Sequence, residues 1–142
     1  MRGAAAIGAL ALGLSGAPAA PAGPAEAAGT PGAGVEGVWS TEPRSSGAYL
    51  EIEIAPCNGA PERRCGTIVG AHAGADPGFV GNPIITGMAP DGPGRWRDGE
   101  IIRPGSGTRY SSSLEVEGDR LKVKGCAVAG LFCGESVWVR VR

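Results

Sequence analysis

Few residues of this chain could take part in catalysis, and the first candidates are two glutamates. Glu51 and Glu53 are two positions apart, so on a strand they share one face and lie roughly 7 Å apart. Paired carboxylates carry out the acid–base steps of glycoside hydrolysis. The same spacing is typical of the solvent-facing side of a strand, and Leu50, Ile52 and Ile54 supply an apolar opposite side. We therefore interpret the two glutamates as surface residues.

His72 is the one histidine of the sequence, and no Gly-x-Ser-x-Gly nucleophile motif accompanies it. Gly105-Ser106-Gly107 has the wrong frame for that motif, and no helix is predicted after it to bind a phosphate. The aspartates fall in predicted turns, and no metal-ligand spacing occurs. We expect His72 to be an exposed loop residue. We also expect a non-enzymatic protein without a metal or cofactor.

The four cysteines form two local pairs, Cys57 with Cys65 and Cys126 with Cys133. Each pair flanks a turn-like segment between predicted strands, which favours local disulfides over the other pairings that four cysteines allow. Zinc ligands are usually about two to four residues apart, and a redox pair is usually Cys-x-x-Cys, so the wider gaps here favour structural bridges. Such bridges are typical of oxidising compartments outside the cytoplasm.

The N-terminus has the features of a secretory signal peptide. Arg2 provides the positive charge, Ala4–Leu14 form a short apolar stretch, and small-residue cleavage contexts follow as far as Ala27. The stretch is shorter than the roughly 20 residues of a membrane-spanning helix, so we expect no stable membrane insertion. The sequence thus predicts a signal peptide at 1–27, a flexible Gly/Pro lead-in at 28–34 and one domain at 35–142, exported to the periplasm or secreted.

Alternation of apolar and polar residues predicts an all-β domain. It is clearest in Tyr49–Ala55, in Arg109–Glu117 and in the C-terminal run from Ser136, and it predicts antiparallel strands with one face in water. Asp98-Gly99 is the strongest hairpin signal, and Glu117-Gly118-Asp119 predicts a second tight hairpin. We predict about eight strands in a meander that closes, or nearly closes, into a barrel. They lie near 37–41, 49–55, 65–71, 84–89, 95–103, 108–117, 120–126 and 135–142.

Several short motifs, in a fixed order, resemble the bacterial family known as domain of unknown function 2147. They are Gly37-Val38-Trp39, Pro56-Cys57, Cys65-Gly66, Pro83-Ile84-Ile85-Thr86-Gly87-Met88, Asp91-Gly92, Trp96, Gly99-Glu100-Ile101, Arg103-Pro104, Gly107, Tyr110, Leu121-Lys122-Val123-Lys124-Gly125-Cys126 and Trp138-Val139-Arg140-Val141. The resemblance implies an exported protein of a Gram-negative bacterium with a lipocalin-like β-barrel and no established activity. The loop at 71–82 departs from the family pattern, because it is short and nearly uncharged.

The lipocalin-like resemblance also implies how the barrel closes. Such barrels often begin the first strand with Gly-x-Trp and place an arginine of the last strand across the Trp ring, which here implies a contact of Trp39 with Arg140 or Arg142. Cation–π contacts of this kind contribute roughly 0.5–2 kcal/mol. Three aromatic residues, a serine and a leucine are candidates for lining a ligand pocket at one barrel mouth: Trp96, Tyr110, Ser112, Leu114 and Trp138.

These observations favour an exported carrier of a small apolar ligand. The formal net charge of −1 and the scattered basic residues argue against a nucleic-acid partner. One alternative is an envelope or protein-interaction module whose barrel core is filled by its own side chains. A hydrolase is the least favoured alternative, because no catalytic constellation is present.

The disulfide hypothesis predicts a specific chemical result. Protein isolated from its own compartment should have all four cysteines masked, and alkylation should add mass only after reduction. Intact-mass measurements before and after reduction test this. Free thiols in freshly isolated protein would contradict both bridges.

Overall fold

Eight antiparallel strands form along the alternating segments, and each begins or ends near a Gly- or Pro-rich turn. A computed structural model describes residues 34–127 and 130–142, so the predicted signal peptide at 1–27 and the lead-in up to residue 33 lie outside the described residues. The strands are β1 (Gly37–Ser40), β2 (Tyr49–Cys57), β3 (Ala60–His72), β4 (Pro83–Pro90), β5 (Arg95–Ile102), β6 (Arg109–Glu117), β7 (Arg120–Ala127) and β8 (Phe132–Arg140).

The eight strands close into a barrel with the topology of a simple meander. Each strand pairs with the next along the chain, and β1 pairs with β8. The predicted all-β, closed antiparallel barrel is therefore confirmed. Among the described residues, helical structure is limited to a 3₁₀ turn at Pro77–Phe79, and no helix has the length and apolar character needed to cross a membrane.

The core lies inside the barrel and is built from residues that alternate along each strand. Ile52 and Ile54 of β2 face inward, while Glu53 is exposed. Tyr110, Ser112 and Leu114 of β6 are in register with Ile101, Gly99 and Trp96 of β5, which places them on one face. The core cluster consists of Val35, Trp39, Ile52, Ile54, Ile68, Ile84, Ile85, Met88, Trp96, Leu114, Leu121, Val123 and Trp138.

Both predicted disulfides are formed, and each joins neighbouring strands. Cys57–Cys65 links β2 to β3, and Cys126–Cys133 links β7 to β8 at positions that are directly in register. The sequence separations are 8 and 7 residues. Loops of about this size contribute roughly 2–3 kcal/mol on the chain-entropy model, because closure restricts the unfolded chain.

The hairpin prediction at Asp98-Gly99 is wrong, whereas the Glu117–Asp119 hairpin forms between β6 and β7. Asp98 and Gly99 lie inside β5, where the register with β6 shifts between Trp96 and Gly99. Asp98 has φ 60°, so the aspartate adopts a left-handed backbone, whereas Gly99 does not. One type of β-bulge also places a residue in the left-handed region, as a type I′ turn does, so the dipeptide alone does not distinguish a bulge from a hairpin turn.

The last strand has the opposite orientation to the one that hydrophobicity suggests. Val139 and Val141 are 48% and 41% exposed, whereas Trp138 is buried. Ser136 and Trp138 are in register with Val123 and Leu121 of the core, so they face the interior. Exposure of an isolated valine side chain lowers the stability of the fold little. The inward positions of β8 are occupied by aromatic and polar side chains that shape the two barrel ends.

Replacement of Gly99 by alanine should destabilise the barrel. A Cβ at Gly99 would lie 2.6 Å from the Thr86 carbonyl oxygen and 2.7 Å from Met88 Sδ. Overpacking of this kind costs about 1–3 kcal/mol. Gly134→Ala is the matched control, because a Cβ there meets no atom within 4 Å. Urea unfolding should show a loss for Gly99→Ala and no loss for Gly134→Ala. Equal stability of the two variants would contradict the assigned packing.

Candidate functional site

The two ends of the barrel differ in the length of their connections. Consecutive antiparallel strands reverse direction, so alternate connections lie at the same end. The connections at 58–59, 91–94 and 118–119 are short, and we call their end the closed end. The connections at 41–48, 73–82 and 103–108, together with the one from Ala127 to Phe132, form the open end.

The closed end is sealed by Arg140 packed on Trp39. The guanidinium carbon lies 4.2 Å from the centre of the indole ring. Arg140 also donates hydrogen bonds to the carbonyl oxygens of Glu36 and Gly34, and Trp39 Nε1 donates to the Val35 carbonyl oxygen at 2.9 Å. The segment before β1 is thereby held across the bottom of the barrel. Of the two arginines considered from the sequence, the structure places Arg140 on the Trp39 ring.

A second arginine–tryptophan contact lies beside the first. Arg64 is over the Trp96 ring at 5.0 Å, and its side chain is only 12% exposed. Arg64 Nη2 lies 3.1 Å from Glu36 Oε1, so Glu36 contacts both arginines, one through its carboxylate and one through its carbonyl. Neither Arg64 nor Glu36 was predicted from the sequence to belong to a barrel end. No alternation around Arg64 marks an inward position, because β3 has register shifts on either side of Gly66.

The open end contains a cavity of about 700 Å³, which we call the mouth cavity. Its floor includes Ile84 and Ile101 from the strands, and its walls include Trp138 of β8 and Phe79 of the 3₁₀ turn. Asp76 begins that turn by accepting a hydrogen bond from the Gly78 backbone N–H at 2.8 Å, which holds Phe79 over the barrel mouth. The remaining lining residues are Thr41, Glu42, Pro43, Arg44, Ser46, Ala48, Tyr49, Leu50, Gly74, Ala75, Asp76, Arg103, Pro104 and Ser136.

A second cavity of about 690 Å³ adjoins the first, and we call it the side cleft. Tyr110 and Val123 line its inner side, and Leu131 and Phe132 of the β7–β8 hairpin line its outer side. These two hairpin residues are 74% and 68% exposed. The shared lining residues of the two cavities are Ile101, Arg103 and Ser136. The open end therefore offers two adjoining clefts, each with a mixed polar and apolar lining and of a size typical of small-molecule sites.

The five residues predicted to line a pocket divide between the two ends. Tyr110 lines the side cleft and Trp138 lines the mouth cavity. Trp96 and Leu114, at 1% and 2% exposure, belong to the packed core and line neither of these two cavities; both border a separate cleft of about 310 Å³ beside β5 and β6. Ser112 is also buried outside both linings, and its Oγ has no hydrogen-bond partner among the described residues. Three of the five candidates are thus buried away from the two open-end cavities.

His72 is the last residue of β3 and not a loop residue, as the sequence had suggested. Its ring stacks on Tyr49 with centroids 4.9 Å apart, and its Nε2 lies 3.2 Å from Glu51 Oε1 without hydrogen-bond geometry. Glu51 and Tyr49 share a face of β2 that alternates with the inward Ile52. Within the described part of the chain, no group of three His, Cys, Asp or Glu side chains is placed to hold a metal ion.

Comparison with protein families decides the relationship of the chain. The profile of a family described as "Uncharacterized protein conserved in bacteria (DUF2147)" matches residues 37–140, which includes all eight strands. The chain belongs to this family. The resemblance inferred from the ordered motifs is therefore confirmed, and the matched range begins at the glycine of Gly37-x-Trp39 and ends at Arg140.

Similarity to solved structures extends to the fold. A structure titled "Protein HP1028 from the human pathogen Helicobacter pylori belongs to the lipocalin family" has a TM-score of 0.61 and 11% sequence identity. The similarity covers 76% of this chain and 83% of that one. At this identity the comparison shows a shared lipocalin-like barrel and nothing about ligands. A search of curated proteins gave no significant match.

Arg140→Lys should weaken the closed end although it keeps the positive charge. Lysine lacks the planar guanidinium that stacks on Trp39 and donates to two carbonyl oxygens at once. We expect a loss of about 1–3 kcal/mol in the free energy of unfolding. Arg120→Lys is the control, because Arg120 is exposed at the same end. Denaturant unfolding that gave the same stability for both variants would show that charge alone is sufficient.

Proposed function

We propose that this protein is an exported, non-enzymatic carrier that binds one small, mainly apolar molecule in the open end of its barrel. The observation that carries the proposal is the pair of adjoining cavities, about 700 and 690 Å³, lined by inward-facing residues of the strands and by the open-end loops. Eight-stranded barrels have an interior wide enough for one small ligand, as in lipocalins. The lipocalin-like neighbour supports the proposal at the level of fold.

The place of action is part of the proposal. The two disulfides are consistent with an oxidising compartment, and the family is bacterial. Together with the signal-peptide features of the sequence, these findings support export to the periplasm or to the medium of a Gram-negative bacterium.

The cavities favour a carrier over a protein-interaction module with a filled core. The packed half of the barrel is confined to the closed end, where Trp39 and Trp96 are covered by arginines. The exposed apolar side chains Leu131 and Phe132 belong to the wall of the side cleft. Their exposure is therefore accounted for by a ligand that lies against them, without a protein partner.

Native mass spectrometry of the mature protein from its own periplasm tests the proposal. We expect a complex heavier than the polypeptide, which releases a small molecule on denaturation. Ser136→Phe should lower the fraction of protein that carries this molecule, because Ser136 lines both cavities and the phenyl ring would fill the space between them.

The matched control is Val139→Phe on the same strand. Val139 is 48% exposed on the outer face, so the same added ring leaves the cavities unchanged. Circular dichroism should show both variants folded. A ligand-free mass for the wild-type protein would shift the proposal to a protein partner. Equal ligand content in the two variants would place the ligand elsewhere.

A further inference from the structure

Arg103 occupies a central position at the open end. It follows β5 directly and is one of three residues that line both cavities. Its backbone is fixed at the base of the β5–β6 hairpin, because its N–H donates to Thr108 at 2.8 Å and its carbonyl accepts from Gly107 at 2.9 Å. Its side chain is exposed to the mouth. The backbone thus fixes the point from which an exposed arginine side chain reaches the two cavities.

The acidic groups around the mouth cavity already have partners. Glu42 Oε1 accepts a hydrogen bond from the Val137 backbone N–H at 3.1 Å, and Asp76 Oδ1 accepts one from Gly78 at 2.8 Å. Among the described residues, neither Arg44 nor Arg103 has a carboxylate at salt-bridge distance. The mouth cavity is therefore lined by two arginines and two carboxylates that form no salt bridge with one another, and the carboxylates instead accept hydrogen bonds from the backbone.

The charged residues that line the side cleft also favour Arg103 as the group that binds an anion. Glu135 lines the cleft, but it is in register with Lys124 across β7 and β8, on the face that alternates with the inward Ser136. Arg103 is thus the charged residue that faces both cavities. The surfaces next to it are apolar, with Ile101 on one side and Pro104 on the other.

We propose that the ligand is a small amphiphile with a single anionic head group, which binds Arg103 while its apolar part lies along Ile101, Tyr110 and Val123 or under Phe79. The inference rests on the carrier function proposed above. An arginine fork binds a carboxylate or a phosphate through two parallel hydrogen bonds, which fixes orientation as well as charge. A neutral apolar ligand of the same shape gains the burial but leaves the guanidinium without a partner.

Binding of dodecanoate, dodecyl phosphate and 1-dodecanol to the full mature protein tests this proposal. Calorimetric titrations below the micelle concentration should give tighter binding for at least one anionic probe than for the alcohol. We expect a difference of about 10-fold, as for a partly exposed charge-assisted hydrogen bond. Affinity for the anionic probe should fall with added salt. The tighter of the two anionic probes identifies the head group.

Arg103→Gln should lower the affinity for the anionic probe about 10-fold and leave the affinity for 1-dodecanol unchanged. Arg120→Gln is the matched control, since Arg120 is exposed at the closed end. Unchanged anion binding in Arg103→Gln, or equal wild-type affinities for anion and alcohol, overturns the inference but leaves the carrier function standing. Binding of none of the probes, together with a ligand-free native mass, overturns both.

Discussion

Closure of the barrel depends on the contact between Arg140 and Trp39. The hydrogen-bonded seam that closes the sheet is short, because β1 has four residues: Trp39 and Ser40 are in register with β8, and Val38 adds backbone hydrogen bonds to Val141 and Arg142. The guanidinium adds a ring contact and two carbonyl contacts at this seam. The contact also requires that the start of β1 lie close to the C-terminal residues, because a Cβ at Gly37 would lie 2.6 Å from the Arg142 carbonyl oxygen. Gly37-x-Trp39 is thus a packing requirement as well as a sequence motif.

Sealing one end allows the other end to stay open. The two arginine–tryptophan contacts and the Glu36 bridge concentrate the stabilising interactions near the short turns. The residues of the open end can then line cavities. Two local interactions hold this end instead: the Asp76 cap on the 3₁₀ turn and the Cys126–Cys133 bridge at the β7–β8 hairpin. Stability and the proposed ligand binding therefore place different demands on the two halves of one barrel.

The sequence predicted the eight strands and their meander because alternation and turn residues are local signals. It did not predict the ends of the barrel, which depend on register. The bulge at Asp98-Gly99 and the shifts around Gly66 decide which side chains point inward, and they bring Arg64 onto Trp96. For β8, alternation defined two faces but did not show which one is buried. The arginine that packs on a tryptophan lies on the inward face in spite of its charge. The cavity residues from loops, such as Phe79, carry no periodic signal.

The second disulfide bears on the proposed ligand binding as well as on stability. Cys126 and Cys133 are directly in register at the base of the hairpin whose Leu131 and Phe132 wall the side cleft. A bridge at this position limits the movement of the hairpin that carries these two exposed apolar side chains. A pre-ordered wall lowers the entropy that a ligand loses when it orders the site. Oxidising conditions, which favour both bridges, would then also favour the ordered wall that the proposed ligand requires.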